Sequence, residues 1–166
     1  MDQTHNYLCM AALNYKMMCS MFNNNIVYDC KYNNIFNESE LIAYKQIGVA
    51  NQASLLSSLY SLYVVPYERL YKDTSMLTDI ENYLQRNIVI ITNSYNPPAD
   101  LHYHLRNAVA HAKIEFLTAT KVKFNDSRIK KKTRENIEFI MTTEQIKGLI
   151  DILLFKIEDI INSLEI

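Results

Sequence analysis

Between Leu101 and Ala112 the chain reads LHYHLRNAVAHA. Arg106, Asn107 and His111 there place a guanidinium, an amide and an imidazole on little more than one helical turn. Groups of these types can cleave a phosphodiester without a metal. RNA breaks through its own 2′-hydroxyl when a base takes the hydroxyl proton and an acid protonates the leaving oxygen. An imidazole titrates near neutrality and serves in either role. The phosphorane-like transition state gathers negative charge, which a permanently charged guanidinium meets with a fork of donors. Asn107 can bond the phosphate or orient the imidazole across one turn. One helix supplies one imidazole, so an acid and a base acting together call for a second copy around a two-fold axis.

At about 100° per residue, Leu101, Leu105, Ala108 and Ala112 form the stripe that must face the core. Asn107 and His111 are i,i+4 neighbours on another face, which His104 joins. Arg106 lies about 140° from His111 around the axis, with the small Ala110 between them. RNA or the same helix of a second copy can approach closely there. Tyr103 sits between the Arg and Asn faces, placed to bond phosphate or stack on a base, or else to pack at a helix or dimer contact. His104 is either an accessory cleft residue or a surface histidine. His102 and His104 point far apart on a helix and have no second ligand cluster, so no metal site and no cofactor are expected.

The elements that must hold this helix follow from pattern. The chain has 166 residues, 49% hydrophobic and 21% charged, with a net charge of −1, which fits one globular domain over 1–166. With two glycines and three prolines, no Gly-rich phosphate loop is present. Three cysteines, Cys9, Cys19 and Cys30, make neither a disulfide framework nor a CxxC site and fit a reducing cytoplasm. No apolar run suits a membrane span, and no signal peptide is expected from the first residues.

Residues 1–36 read as a helix over 5–22 followed by a connection. Core helices and the motif fill 37–112. Asn37-x-x-Glu40 is capping-box-like and opens a helical pattern that runs to Tyr71, kinked or broken by Pro66 near Val64-Val65. Tyr60, Tyr63, Tyr67 and Tyr71 recur at helical spacing and read as core and dimer packing rather than as base-stacking platforms. A further helix starts at Thr74 or Ser75 and runs to about Asn87, and the β-branched Ile88–Ile91 run is expected to extend it. Asn96 as N-cap and Pro97 at the first helical position open the motif helix, 97–112. Over 113–141 the period falls to two: Ile114–Phe116, Val122–Phe124 and Ile137–Met141 read as short strands of a ribbon, with a turn at Asn125-Asp126-Ser127. Thr142-x-x-Gln145 caps a last helix, 142–164, with Ile146, Leu149, Ile150, Leu153, Ile157, Ile160, Ile161 and Leu164 on its core face.

The fold class expected is therefore mainly α, a helical bundle with a small antiparallel β-hairpin or ribbon before the last helix. The cluster Arg128, Lys130, Lys131, Lys132 and Arg134 is the one concentrated basic patch. It reads as a phosphate-tracking loop for RNA or as a solvated hairpin tip.

The Arg-Asn-x-x-x-His arrangement late in a mainly helical domain resembles the HEPN domain (higher eukaryote and prokaryote nucleotide-binding). The likeness is closest to HEPN-like proteins of plasmids and bacterial genomes and spans roughly 40–163. A helix like Asn51–Tyr60, running on through Val64-Val65-Pro66, precedes the motif there; a hairpin and a final helix follow it. The resemblance implies a metal-independent ribonuclease of a toxin, phage-defence or RNA-processing system. It implies a homodimer with two motifs lining one cleft, and an antitoxin or regulatory protein as a further partner. Arg106, Asn107 and His111 carry over as its catalytic set. The usual form often has glycine after the histidine; Ala112 stands here and is expected to matter little, because alanine also continues a helix. The alternative is a non-catalytic HEPN-like module that binds RNA or protein.

Overall fold

The computed structural model describes residues 3–23, 38–40, 42, 51–67, 71, 75–95, 100–130 and 132–164. Helix α1 spans Gln3–Asn23, α2 spans Gln52–Leu59, and a π-helical segment covers Tyr60–Val64. Helix α3 (Ser75–Asn87) leads into strand β1 (Val89–Asn93), and the motif helix α4 covers Leu101–Ala110. Strands β2 (Ile114–Thr118), β3 (Lys121–Lys130) and β4 (Thr133–Thr142) precede the last helix, α5 (Thr143–Leu164).

The four strands form one antiparallel sheet in the order β1-β4-β3-β2. This overturns the expectation of a mainly α bundle with a minor ribbon. The decisive difference is β1. Ile88–Ile91 does not extend the preceding helix: Val89 pairs with Ile140 and Ile90 with Phe139 on β4. β-branched side chains are stiff in a helix and pack well on a pleated surface, and the partner that rewards them lies some fifty residues on, outside any local pattern. Helix α3 is closed off at the same point. The Asn87 side chain donates to the Tyr83 carbonyl at 2.8 Å, and the Gln145 amide bonds the Asn87 carbonyl.

The ribbon itself is longer than expected. Asn125, Asp126 and Ser127 lie inside β3, paired with Glu138, Ile137 and Asn136. Their polar groups favour turns only when nothing else satisfies them; here Asn125 donates to Glu138 at 2.9 Å. The chain reverses further on, where Lys132 takes a left-handed φ of 69°.

The run expected as one helix from Asn37 is also interrupted. Asn51 is extended (φ −72°, ψ 159°) and its side chain accepts from the Ser54 amide, so α2 has its own N-cap. Asn37 and the connection over 24–37 lie outside the described residues, as does Cys30. Pro66 does not break the helix. It removes the donor that a regular helix would offer the Leu62 carbonyl, the winding widens over Tyr60–Val64, and the Tyr71 hydroxyl donates to Leu62 at 2.7 Å.

The inner face of the sheet carries Val122 and Phe124 on β3 and Ile137, Phe139 and Met141 on β4, all buried, with Phe124 and Phe139 stacked at 5.4 Å. Helix α4 packs against β3, and α5 packs against α1, α2 and α3 through Ile146, Leu149, Ile150, Leu153 and Ile157. The expected Thr142–Gln145 capping box forms in both directions, at 2.7 and 3.2 Å. Side chains beyond Asp159 lie outside the described residues.

Candidate functional site

Helix α4 is shorter than the sequence suggests at both ends. Asp100 is its N-cap, while Asn96 and Pro97 lie outside the described residues. Its first turn is held from two sides. The Glu81 carboxylate accepts from the His102 amide at 2.9 Å, and the Tyr63 hydroxyl donates to the His102 carbonyl at 2.7 Å. Tyr67 also bonds the His102 ring, at 3.2 Å. A carboxylate beside the unsatisfied amides of a helix start is favourable, and here Glu81 supplies what the Asp100 side chain does not.

At the other end the helix stops at Ala110, and His111 is the C-cap (φ −103°, ψ 10°). The Lys113 amide bonds the Ala108 carbonyl at 2.9 Å and the Ala112 amide bonds Val109 at 3.2 Å. That double closure is a Schellman turn, which requires its next residue to be left-handed. Ala112 is that residue, with φ 51°, and it is exposed. Two expectations fail here. Ala112 is not on the core stripe, whose last place goes to Val109, and it does not continue the helix. The position after His111 is one that favours glycine, and alanine occupies it under strain.

The three motif side chains part company accordingly. His111 is exposed at the turn. Arg106 is half-buried, its guanidinium 5.6 Å from the centre of the Tyr67 ring and bonded through Nη1 to Asn107 Oδ1 at 3.0 Å. Asn107 passes the contact inward: its Nδ2 donates to Asp126 Oδ2 at 3.3 Å. Asn107 therefore orients the arginine, where the sequence suggested phosphate or the imidazole.

Asp126 is the residue that sequence reading missed. It is 4% exposed, and its Oδ2 also accepts from His104 Nδ1 at 2.8 Å and from the Tyr95 hydroxyl at 3.1 Å. Lys113 Nζ stands 3.8 Å from the other oxygen. Burial alone would raise this carboxyl; the bonds from His104, Asn107 and Tyr95 outweigh it and hold the group below the usual carboxylate range. Burial, then the Asp126 charge, push the Tyr95 hydroxyl up, so it stays a donor. A signal for Asp126 was present: it falls in step with Val122 and Phe124 at a period of two, which places it on the inner face. The turn-like run around it masked that phase.

His104 is wholly buried between Asp126 and the Tyr95 ring, whose centroid lies 4.3 Å away. A carboxylate only accepts, so His104 carries a proton on Nδ1. It is neither a surface histidine nor a cleft residue. Tyr103, next to it, is 43% exposed and within reach of a ligand.

The basic residues stand apart from the motif. β3 and β4 continue as a two-stranded arm past the ends of β1 and β2, pairing Arg128 with Glu135, Ile129 with Arg134 and Lys130 with Thr133. Lys130, Lys132 and Arg134 are exposed at its far end, and Lys131 lies outside the described residues. Lys130 is on the same strand face as Asp126, about 13 Å further along; Arg134 is on the opposite face. Arg128 is engaged structurally, bonded to Glu135 at 2.7 Å and stacked 4.7 Å over Tyr95.

The family model described as HEPN pEK499 p136 matches residues 10–163. The chain belongs to that HEPN family. HEPN domains are often ribonucleases, and they often dimerise and bind RNA. Neither a curated protein nor a solved structure matches this HEPN chain. No helix among its described residues is long and apolar enough to cross a membrane.

Proposed function

We propose that this HEPN protein is a metal-independent endoribonuclease whose active site is completed by a second copy of the chain. The observation that carries the reading is the Schellman turn at the end of α4. It holds His111 out of the core, one residue past the last helical turn, while Arg106 sits one turn back against Tyr67 and Asn107. His104 is committed to Asp126 and the half-buried His102 ring is bonded by Tyr67, so His111 is the exposed imidazole that each copy offers in the motif segment. One imidazole takes the 2′-hydroxyl proton, the partner copy's imidazole protonates the 5′-oxygen, and the 2′-oxygen closes on phosphorus to leave a 2′,3′-cyclic phosphate. A phosphate oxygen would share the Arg106 guanidinium with Asn107. Lys130, Lys132 and Arg134 on the arm, and Tyr103, would hold flanking RNA. A toxin or phage-defence setting, with an antitoxin or other regulator, suits a nuclease of this kind.

The test is cleavage of single-stranded RNA in EDTA, with the ends of the products identified. His111→Ala is expected to lose cleavage by 10²-fold or more and to keep its melting temperature. Equal cleavage by a folded His111→Ala protein would sink the proposal.

One observation favours a second reading, a non-catalytic module that binds RNA or a protein. Arg106 and Asn107 are both engaged inside the subunit, as a scaffold would use them. That reading predicts RNA or partner binding with no turnover at any protein concentration.

A further inference from the structure

A groove of about 340 Å³ opens beside the His111 turn. Val109 and Ala112, which flank His111 in the chain, line it together with Ile114 of β2 and with Leu56, Ser57, Tyr60 and Ser61 of the helix that α2 opens. We propose that this groove seats a nucleobase of the RNA strand whose phosphodiester lies at His111. The inference rests on the ribonuclease reading and adds the substrate group held beside the cut.

Charge comes first. No charged side chain lines the groove among the described residues, so its chemistry suits a neutral planar group and not a phosphate. The lining is mostly apolar (Leu56, Val109, Ala112, Ile114) with two serine hydroxyls and one aromatic ring, a combination that can stack a base and bond its edge. Its size is at the small end of ligand sites, which run from about 300 Å³ upward, and matches one base better than a strand.

Tyr60 supplies the second argument. Of the four tyrosines at helical spacing, three are structural. Tyr63 bonds the His102 carbonyl, Tyr67 bonds the His102 ring and lies under Arg106, and Tyr71 bonds the Leu62 carbonyl. All three are buried, whereas Tyr60 is 46% exposed and faces the groove. It stands where regular helix gives way to the π-helical segment, an irregularity often found at functional sites.

The test uses the full chain and short single-stranded RNAs carrying the fluorescent base 2-aminopurine at each position in turn. One position is expected to quench on binding. Tyr60→Ala should remove that quenching and weaken RNA binding on the order of 10-fold, the scale of one lost base stack; Tyr60→Phe should keep both. Ser57→Phe, at an exposed point of the wall, fills the groove without touching the core and should produce the same loss even where Tyr60→Ala fails to fold. Wild-type binding and quenching in Ser57→Phe and in folded Tyr60→Ala would overturn the proposal. So would a shift from dimer to monomer with the per-subunit RNA affinity unchanged, since the groove would then hold protein. The two readings separate cleanly. Quenching without cleavage keeps the groove and removes the nuclease; cleavage indifferent to Tyr60 and Ser57 does the reverse.

Discussion

Asp126 gathers three donors onto one buried oxygen, so it governs more than its own position. Asp126→Ala would leave His104, Asn107 and Tyr95 without their acceptor and should cost on the order of 3 kcal/mol in urea denaturation. The acid limb can be signed. Asp126 is lowered in the folded chain, so between its folded value and the ordinary carboxylate value the unfolded chain binds more protons. Its contribution is complete above about pH 4 and drains as pH falls through the folded value. Denaturation midpoints from pH 7 downward should therefore fall less steeply for Asp126→Asn than for the native chain; parallel curves would contradict this. Ala112 is the opposite case, a residue at odds with its backbone. Ala112→Gly relieves the left-handed strain and should raise stability by about 1 kcal/mol, seen as a higher melting temperature with His111 still presented. A lowered melting temperature would mean that the turn does not hold this conformation in solution. Sequence could single out Arg106, Asn107 and His111 as candidates because helical spacing brings a guanidinium, an amide and an imidazole onto little more than one turn. It could not show that Arg106 and Asn107 bond each other, since that depends on a carboxylate nineteen residues later on a strand.

Among the elements, local signals were legible where a segment answers to itself. The Thr142–Gln145 box, helix α3 to Asn87 and the periodic core face of α5 all formed as their patterns indicate. They failed where a distant partner decides: β1 belongs to β4, and Asn125–Ser127 are held straight by β4. The π-helical segment lies between these cases, because Pro66 is visible in sequence while the hydroxyl that answers it is not. Tyr71→Phe should cost about 1 kcal/mol through the lost bond to Leu62. Pro66→Ala restores a backbone donor, so part of that loss should return in the double variant. A cycle of thermal melts in which the two changes simply add would show that Tyr71 does not compensate for the proline.

The whole molecule raises the question of how many chains make one site. If each cut needs an imidazole from both copies, an equimolar mixture of native and His111→Ala chains, equilibrated to exchange subunits, should retain about a quarter of the native activity. Retention of half would place the whole chemistry in one chain and remove the composite site. The topology also sets an order of assembly. Helix α4 carries Arg106, Asn107 and His111, yet what fixes Asn107 is Asp126 on β3, and β3 is held on one side by β4. A growing chain emerges from the ribosome N-terminus first. The motif therefore leaves the ribosome ahead of the strands that organise it. An unfinished chain already has Tyr63, Tyr67 and Glu81 to seat the motif helix but lacks Asp126 to fix Asn107, so the proposed nuclease would wait for β3 and β4 to follow.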